Sequence, residues 1–215
     1  MNGYFVTGTD TGVGKTHVTQ ALTRCARTLG KKVFAFKPVE SGCETVNGQL
    51  VGADMELLCQ AAGQWQQGEL RGVYKLRSPV APYVAALEDQ VEIDLGRIRQ
   101  TVEKGAAEAD IVLVEGAGGW RVPLTETQDM SDLAKVVGLP VVIVCRATLG
   151  TINHSLLSIE AVERDGSRVG AVVLSRRPEE NLAFARSNVE QIERRWAKAP
   201  VLIYEGSDSV FRGLF

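Results

Sequence analysis

The stretch Gly8-Thr9-Asp10-Thr11-Gly12-Val13-Gly14-Lys15-Thr16 restricts what this chain of 215 residues can become more than any other. An apolar run, Tyr4-Phe5-Val6, leads into it. Val18, Ala21, Leu22, Cys25, Ala26 and Leu29 follow at spacings of three and four, which predicts a helix. A strand, a glycine-rich turn ending in Gly-Lys-Thr, and a helix together make a phosphate-binding loop. Glycines let the backbone curl so that several N–H groups point inward, and the helix start adds partial positive charge. Lys15 is placed to reach the outer phosphates and the Thr16 hydroxyl to ligate Mg²⁺. Five residues, Thr9 to Val13, separate Gly8 from Gly14-Lys15, one more than in the commonest form of such a loop.

The rest of the composition restricts the partners. The length suits one α/β domain over residues 1–215. A net charge of −2 offers no basic surplus for nucleic acid or an anionic membrane surface. Cys25, Cys43, Cys59 and Cys145 form no Cys-x-x-Cys pair. The first, third and fourth sit in apolar patterns, as buried thiols do in a reducing compartment. No leader-like segment precedes the first strand, and no apolar run approaches the ~20 residues that span a bilayer. A cytoplasmic protein is expected.

Strands are predicted over Lys32–Lys37, Asp110–Glu115, Pro140–Cys145, Val169–Leu174 and Val201–Tyr204. Helices are predicted over Ala53–Ala62, Leu95–Ala109, Asp129–Val137, Asn153–Arg164 and Glu179–Lys198. Glu40–Gly52 reads as a long loop and Gly68–Pro82 as irregular, broken by Pro79 and Pro82. Strands alternating with helices imply a doubly wound, mainly parallel sheet with helices on both faces, in which ligands sit beyond the carboxyl ends of the strands. Gly8, Lys37 and Glu115 all fall at such ends.

These positions carry candidate chemistry. Glu115, before Gly116-Ala117-Gly118-Gly119, is a second carboxylate for a metal beside the phosphate loop; the alternative is a strand-end acid facing water. Lys37 could set a cation beside transferring phosphate oxygens, or be a solvated lysine. Asp54 opens a helix, where an acid often serves as a cap. His17 and His154 are too few and too far apart for zinc. Arg176-Arg177 reads as a solvated basic turn.

Gly8-Thr9-Asp10-Thr11 with Val13-Gly14-Lys15-Thr16, Lys37-Pro38-Val39 with Ser41-Gly42, Asp54, Val114-Glu115-Gly116-Ala117-Gly118-Gly119, and Leu149-Gly150 with Ile152-Asn153-His154 occur in this order over roughly residues 3 to 175. Together they resemble the dethiobiotin synthetase family. The resemblance implies a P-loop ligase that converts 7,8-diaminopelargonic acid, CO₂ and ATP into dethiobiotin, ADP and phosphate. A substrate amine takes up CO₂ as a carbamate, a carbamate oxygen attacks the γ-phosphate, and the second amine closes the ring. It implies that Gly12, Val13, Gly14, Lys15, Thr16 and His17 bind ATP phosphates and that Thr16, Asp54 and Glu115 hold Mg²⁺. Gly116, Ala117, Gly118, Ser175 and Arg176 would complete the nucleotide site. Lys37 would be catalytic, with Lys15 and Thr11 beside the carbamate and γ-phosphate. Ser41 would touch the diamine, and Gly150, Thr151 and Asn153 would receive its carboxylate from the partner subunit of a homodimer.

The chain departs from the family pattern at several positions. Gly12 stands where a glutamate is usual, and Tyr83 where a histidine is common. Ser175-Arg176 replaces an Asn-Asp pair that reads adenine, and Ile203-Tyr204-Glu205-Gly206 replaces a Gly-x-Ile-Pro segment. Phosphate chemistry is therefore better supported than base recognition. Two other classes are compatible with the loop: a nucleotide-switch ATPase acting on a protein partner, and a non-catalytic binding module. The switch is disfavoured by the absence of a second lysine early in the loop, and the module by intact Lys15, Thr16, Lys37, Asp54 and Glu115.

Overall fold

A computed structural model describes residues 1–215. Ten strands and seven helices follow in order: β1 (Gly3–Gly8), α1 (Lys15–Thr28), β2 (Val33–Phe36), β3 (Val39–Ser41), β4 (Glu44–Val46), β5 (Gln49–Val51), α2 (Ala53–Ala62), β6 (Tyr74–Leu76), α3 (Pro82–Asp89), α4 (Leu95–Ala107), β7 (Ile111–Gly119), α5 (Met130–Val137), β8 (Val141–Arg146), α6 (Thr151–Arg164), β9 (Val169–Ser175), α7 (Leu182–Glu193) and β10 (Val201–Tyr204). Six strands form one parallel sheet in the order β10-β9-β8-β1-β7-β2. Helices cover both faces, so the continuous apolar runs Val33–Phe36, Ile111–Val114 and Val141–Cys145 are buried on both sides. β1 lies between β7 and β8. The chain leaves β1 in one direction along the sheet and later returns past it, which opens a crevice at the strand's carboxyl end.

The structure corrects the expectations at several points. The expected loop at Glu40–Gly52 contains the end of β3, which pairs in parallel with β6, and the hairpin β4–β5. Asn47 and Gly48 turn that hairpin at φ of 51° and 78°, the left-handed pair that a two-residue turn requires. The expected irregular stretch holds β6 and ends at α3, where Pro82 is the first helical residue and so starts the helix. The expected helix Glu179–Lys198 is the shorter α7, capped by the Asn181 side chain accepting from Phe184 N. The last residues wind into a 3-10 turn, Asp208–Leu214, that packs on α1 with an Arg24–Asp208 ion pair and buries Phe211 against Tyr204. All four cysteines are buried and free, Cys43 included.

Gly105 does more than weaken the end of α4. A Cβ there would lie 2.2 Å from a ring carbon of Phe34, and that ring is buried and stacked on Phe36. The missing side chain is what lets α4 approach the sheet. Gly105→Ala should therefore destabilise the fold by about 1–3 kcal/mol through overpacking, despite alanine's better helix propensity. A lower midpoint in urea unfolding checks this.

Candidate active site

The phosphate loop adopts the expected curl. Gly12 and Gly14 take φ of 69° and 100°, which strains any residue with a Cβ. Gly14 is also the N-cap of α1, so no side chain caps that helix and no acid sits in its first turn. Its leading N–H groups stay open to an anion. Buried Lys15 donates from Nζ to the Asp10 carbonyl at 3.1 Å. Burial lowers its pKa to about 8, with Lys37 pushing the same way and Glu115 and Asp54 opposing. This ammonium group is short of acceptors, and phosphate oxygens would supply them.

Three further side chains converge beside it. Glu115 lies inside β7, which runs on to Gly119, and is 0 % exposed. Its Oε1 accepts from Thr16 Oγ1 at 2.7 Å and from Lys37 Nζ at 3.1 Å, while its Oε2 is buried with no partner. Lys37 also donates to Asp54 Oδ2. Only 7 % exposed, Lys37 is pushed down by burial, but Glu115 and Asp54 outweigh that and hold its pKa above the ordinary lysine value. The two plainer expectations, a solvent-facing acid and a solvated lysine, are both overturned by this burial and pairing.

Lys15, Thr16, Lys37 and Asp54 border a cleft of about 590 Å³ that also includes Thr11, Gly12, His17, Ser41, Ala117 and Gly118, with Glu115 buried behind Thr16 and Lys37. Val13 is buried beneath the loop. Gly116 faces the opposite, apolar side of β7, where a Cβ would sit 2.9 Å from Met130 Sδ. Ser175 lies behind the loop, its Oγ 2.6 Å from where a Gly14 Cβ would be. Arg176 is tied to its surroundings: it donates to Glu205 Oε2 at 3.1 Å and to the carbonyls of Arg177 and Pro178 at 3.1 and 3.3 Å. Only Arg177 matches the expected solvated turn. Gly150, Thr151 and Asn153 stand outside the cleft at the start of α6. Thr151 lines a separate hollow of about 240 Å³ with Asp10 and Arg146, and Asn153 is exposed.

Sequence reasoning missed Glu40 and the wall formed by Pro79, Val80, Ala81 and Val122. Glu40 is buried, and its Oε1 and Oε2 accept from Asp54 N at 2.8 Å and Met55 N at 3.0 Å. Burial raises its pKa, opposed by Lys37 and by those two N–H groups. A signal was present: α2 starts after Gly52, which has no side chain to cap it.

A family profile described as an AAA domain matches residues 2–202. Among solved structures, the MinC:MinD cell division protein complex of Aquifex aeolicus superposes with a TM-score of 0.55 at 18% identity, covering 99% of this chain and 86% of that one. The pNOB8 ParA structure bound to nonspecific DNA gives 0.56 at 12% identity, covering 99% and 92%. Both likenesses concern the fold. Curated relatives named ATP-dependent dethiobiotin synthetase BioD are much closer in sequence. One from Aromatoleum aromaticum is 42% identical over 93% of this chain and 88% of its own. One from Nitrosospira multiformis is 45% identical over 90% and 83%. Identity of that order, across nearly the whole of both chains, is family membership, and this chain belongs to the ATP-dependent dethiobiotin synthetases.

Proposed function

We propose that this protein forms dethiobiotin from 7,8-diaminopelargonic acid, CO₂ and ATP. The observation that carries the reading is the convergence of Lys15, Thr16, Lys37 and Asp54 on one cleft beside an open helix start, with buried Glu115 bonded to Thr16 and Lys37 behind its wall, so that four separate stretches of sequence meet there. Once the carbamate has formed, the step is a phosphoryl transfer, in which positioning and cations carry most of the catalysis. The loop from Gly12 to His17 grips the phosphates. Lys15 meets the β- and γ-oxygens, and Lys37 stands where charge grows as the carbamate oxygen attacks. Thr11 and Ser41 line the side of the cleft assigned to the diamine.

The donor set suits Mg²⁺: a hydroxyl and two carboxylates are hard oxygens, and the orphaned Glu115 Oε2 is a buried acceptor in want of a partner. Thr16, Asp54 and Glu115 would hold the ion, which when bound offsets phosphate charge. Gly150, Thr151 and Asn153 do not line the cleft of their own chain, which supports a homodimer in which they receive the substrate carboxylate in the partner's site. Leu149, 91 % exposed beside them, fits such an interface. No helix is long and apolar enough to cross a membrane; with four free thiols, the reading extends to a cytoplasmic enzyme.

The deciding experiment is ADP release with and without the diamine and bicarbonate. Strict dependence on both is expected, and turnover indifferent to them would instead indicate a nucleotide switch. The same assay tests base recognition. Arg176 spends its donors on Glu205 and its own loop, and buried Tyr204 packs against His17 and Phe211. Neither offers the paired donor and acceptor that reads adenine. ATP, CTP and GTP should be used within about tenfold of one another in kcat/KM, a gap of roughly 1.4 kcal/mol. A preference of several hundredfold for ATP would contradict this.

A further inference from the structure

We infer that Glu40 is a positioning residue that sets Asp54 against Lys37, and through Asp54 tunes how the nucleotide site uses Mg²⁺. The inference rests on the metal assignment above and concerns a residue outside the family motifs. A helix start leaves its leading N–H groups without partners, and a capping side chain at the residue before the helix satisfies one of them. In α2 that residue is Gly52, which makes no side-chain cap. Glu40 reaches across from β3 and takes the role with both oxygens, accepting from Asp54 N and Met55 N. Negative charge at a helix start is favoured in itself.

The arrangement is exclusive. A Cβ on Gly52 would lie 2.3 Å from Glu40 Oε2, so α2 can take its cap from Gly52's position or from Glu40, but not from both. The choice of Glu40 has a geometric effect that a local cap would lack. Glu40 stands three residues after Lys37 on the same extended segment, and Lys37 N itself points at Met55 Sδ at 3.1 Å. The first turn of α2 is thus fastened to the segment bearing Lys37, and the Asp54 carboxylate is held where Lys37 Nζ meets it. Because both Glu40 oxygens are engaged by backbone, a role as a direct ligand for the diamine is disfavoured.

The test is a Mg²⁺ titration of fluorescent ATP-analogue binding, alongside ADP release with diamine and bicarbonate. Glu40→Gln keeps the volume but turns one acceptor into a donor facing an N–H group. The Mg²⁺ concentration for half-maximal effect should rise about tenfold, the low end of what loss of an outer-shell partner costs. Analogue binding without Mg²⁺, which depends on the phosphate loop, should not change. An unshifted titration overturns the inference. A second variant separates positioning from simple capping. Glu40→Ala combined with Gly52→Ser opens the space and gives α2 a cap of its own. Thermal stability should recover while the shifted Mg²⁺ response persists; recovery of both would show that Glu40 only caps the helix and overturn the positioning role. The proposed reaction fails separately, if unaltered protein releases ADP without regard to diamine and bicarbonate, whereas the Glu40 inference is read from analogue binding.

Discussion

Alanine in place of Lys37 is expected to lower turnover by about 10²–10³-fold, the usual cost of losing one donor aimed at developing charge. Nucleotide binding should largely survive, because the grip on phosphates belongs to the loop and to Lys15. The structure adds a second consequence. Lys37 is the ammonium between Asp54 and fully buried Glu115. Without it, Glu115 keeps Thr16 as its hydrogen-bond donor, and a buried carboxylate with fewer partners is destabilising. The variant should therefore melt at a lower temperature than the parent as well as turn over slowly. ADP release, analogue binding and a melting curve measured together separate the two effects. Unchanged turnover would remove Lys37 from the chemistry.

Lys15→Ala should abolish measurable turnover and leave the fold intact. Its ammonium group has a single hydrogen bond, to the Asp10 carbonyl, and burial already works against its charge. Its removal therefore costs the fold little. It costs the reaction its only cation in the phosphate loop, a loop with no second lysine to substitute. Circular dichroism should match that of the parent while ADP release falls to background. Near-normal release would overturn the assignment.

The sheet was legible because its inner strands, β7 and β8 above all, are buried on both faces and so read as unbroken apolar runs between turn residues. The small elements were not. β3 and β6 have three residues each, too few for a period to emerge, and the turn-forming Asn47-Gly48 pair was hidden in a polar stretch that also looks like a loop. Pro82 reads the same way whether it breaks a helix or begins one, and only the following turns decide. In the site, the motif residues were legible and the outer partner was not. Glu40 is an ordinary acid in sequence, and its importance comes from Gly52, twelve residues on in the chain but in van der Waals reach in the fold. Gly116 shows the converse: membership in a glycine-rich turn said nothing about which face of β7 it would occupy.

The position of β1 bears on how the molecule comes into being. The strand that carries the phosphate loop is synthesised well before both strands it pairs with: Gly3 faces Val112 on one side and Phe5 faces Val141 on the other. β2, the next strand in the chain, also pairs only with β7. During translation the loop therefore has no sheet to sit on until β7 has emerged, and it is enclosed on both flanks only after β8. Such distant pairing makes for slow folding and leaves an apolar strand exposed to aggregation while it waits. The phosphate loop is thus made long before the strands that give it its working shape.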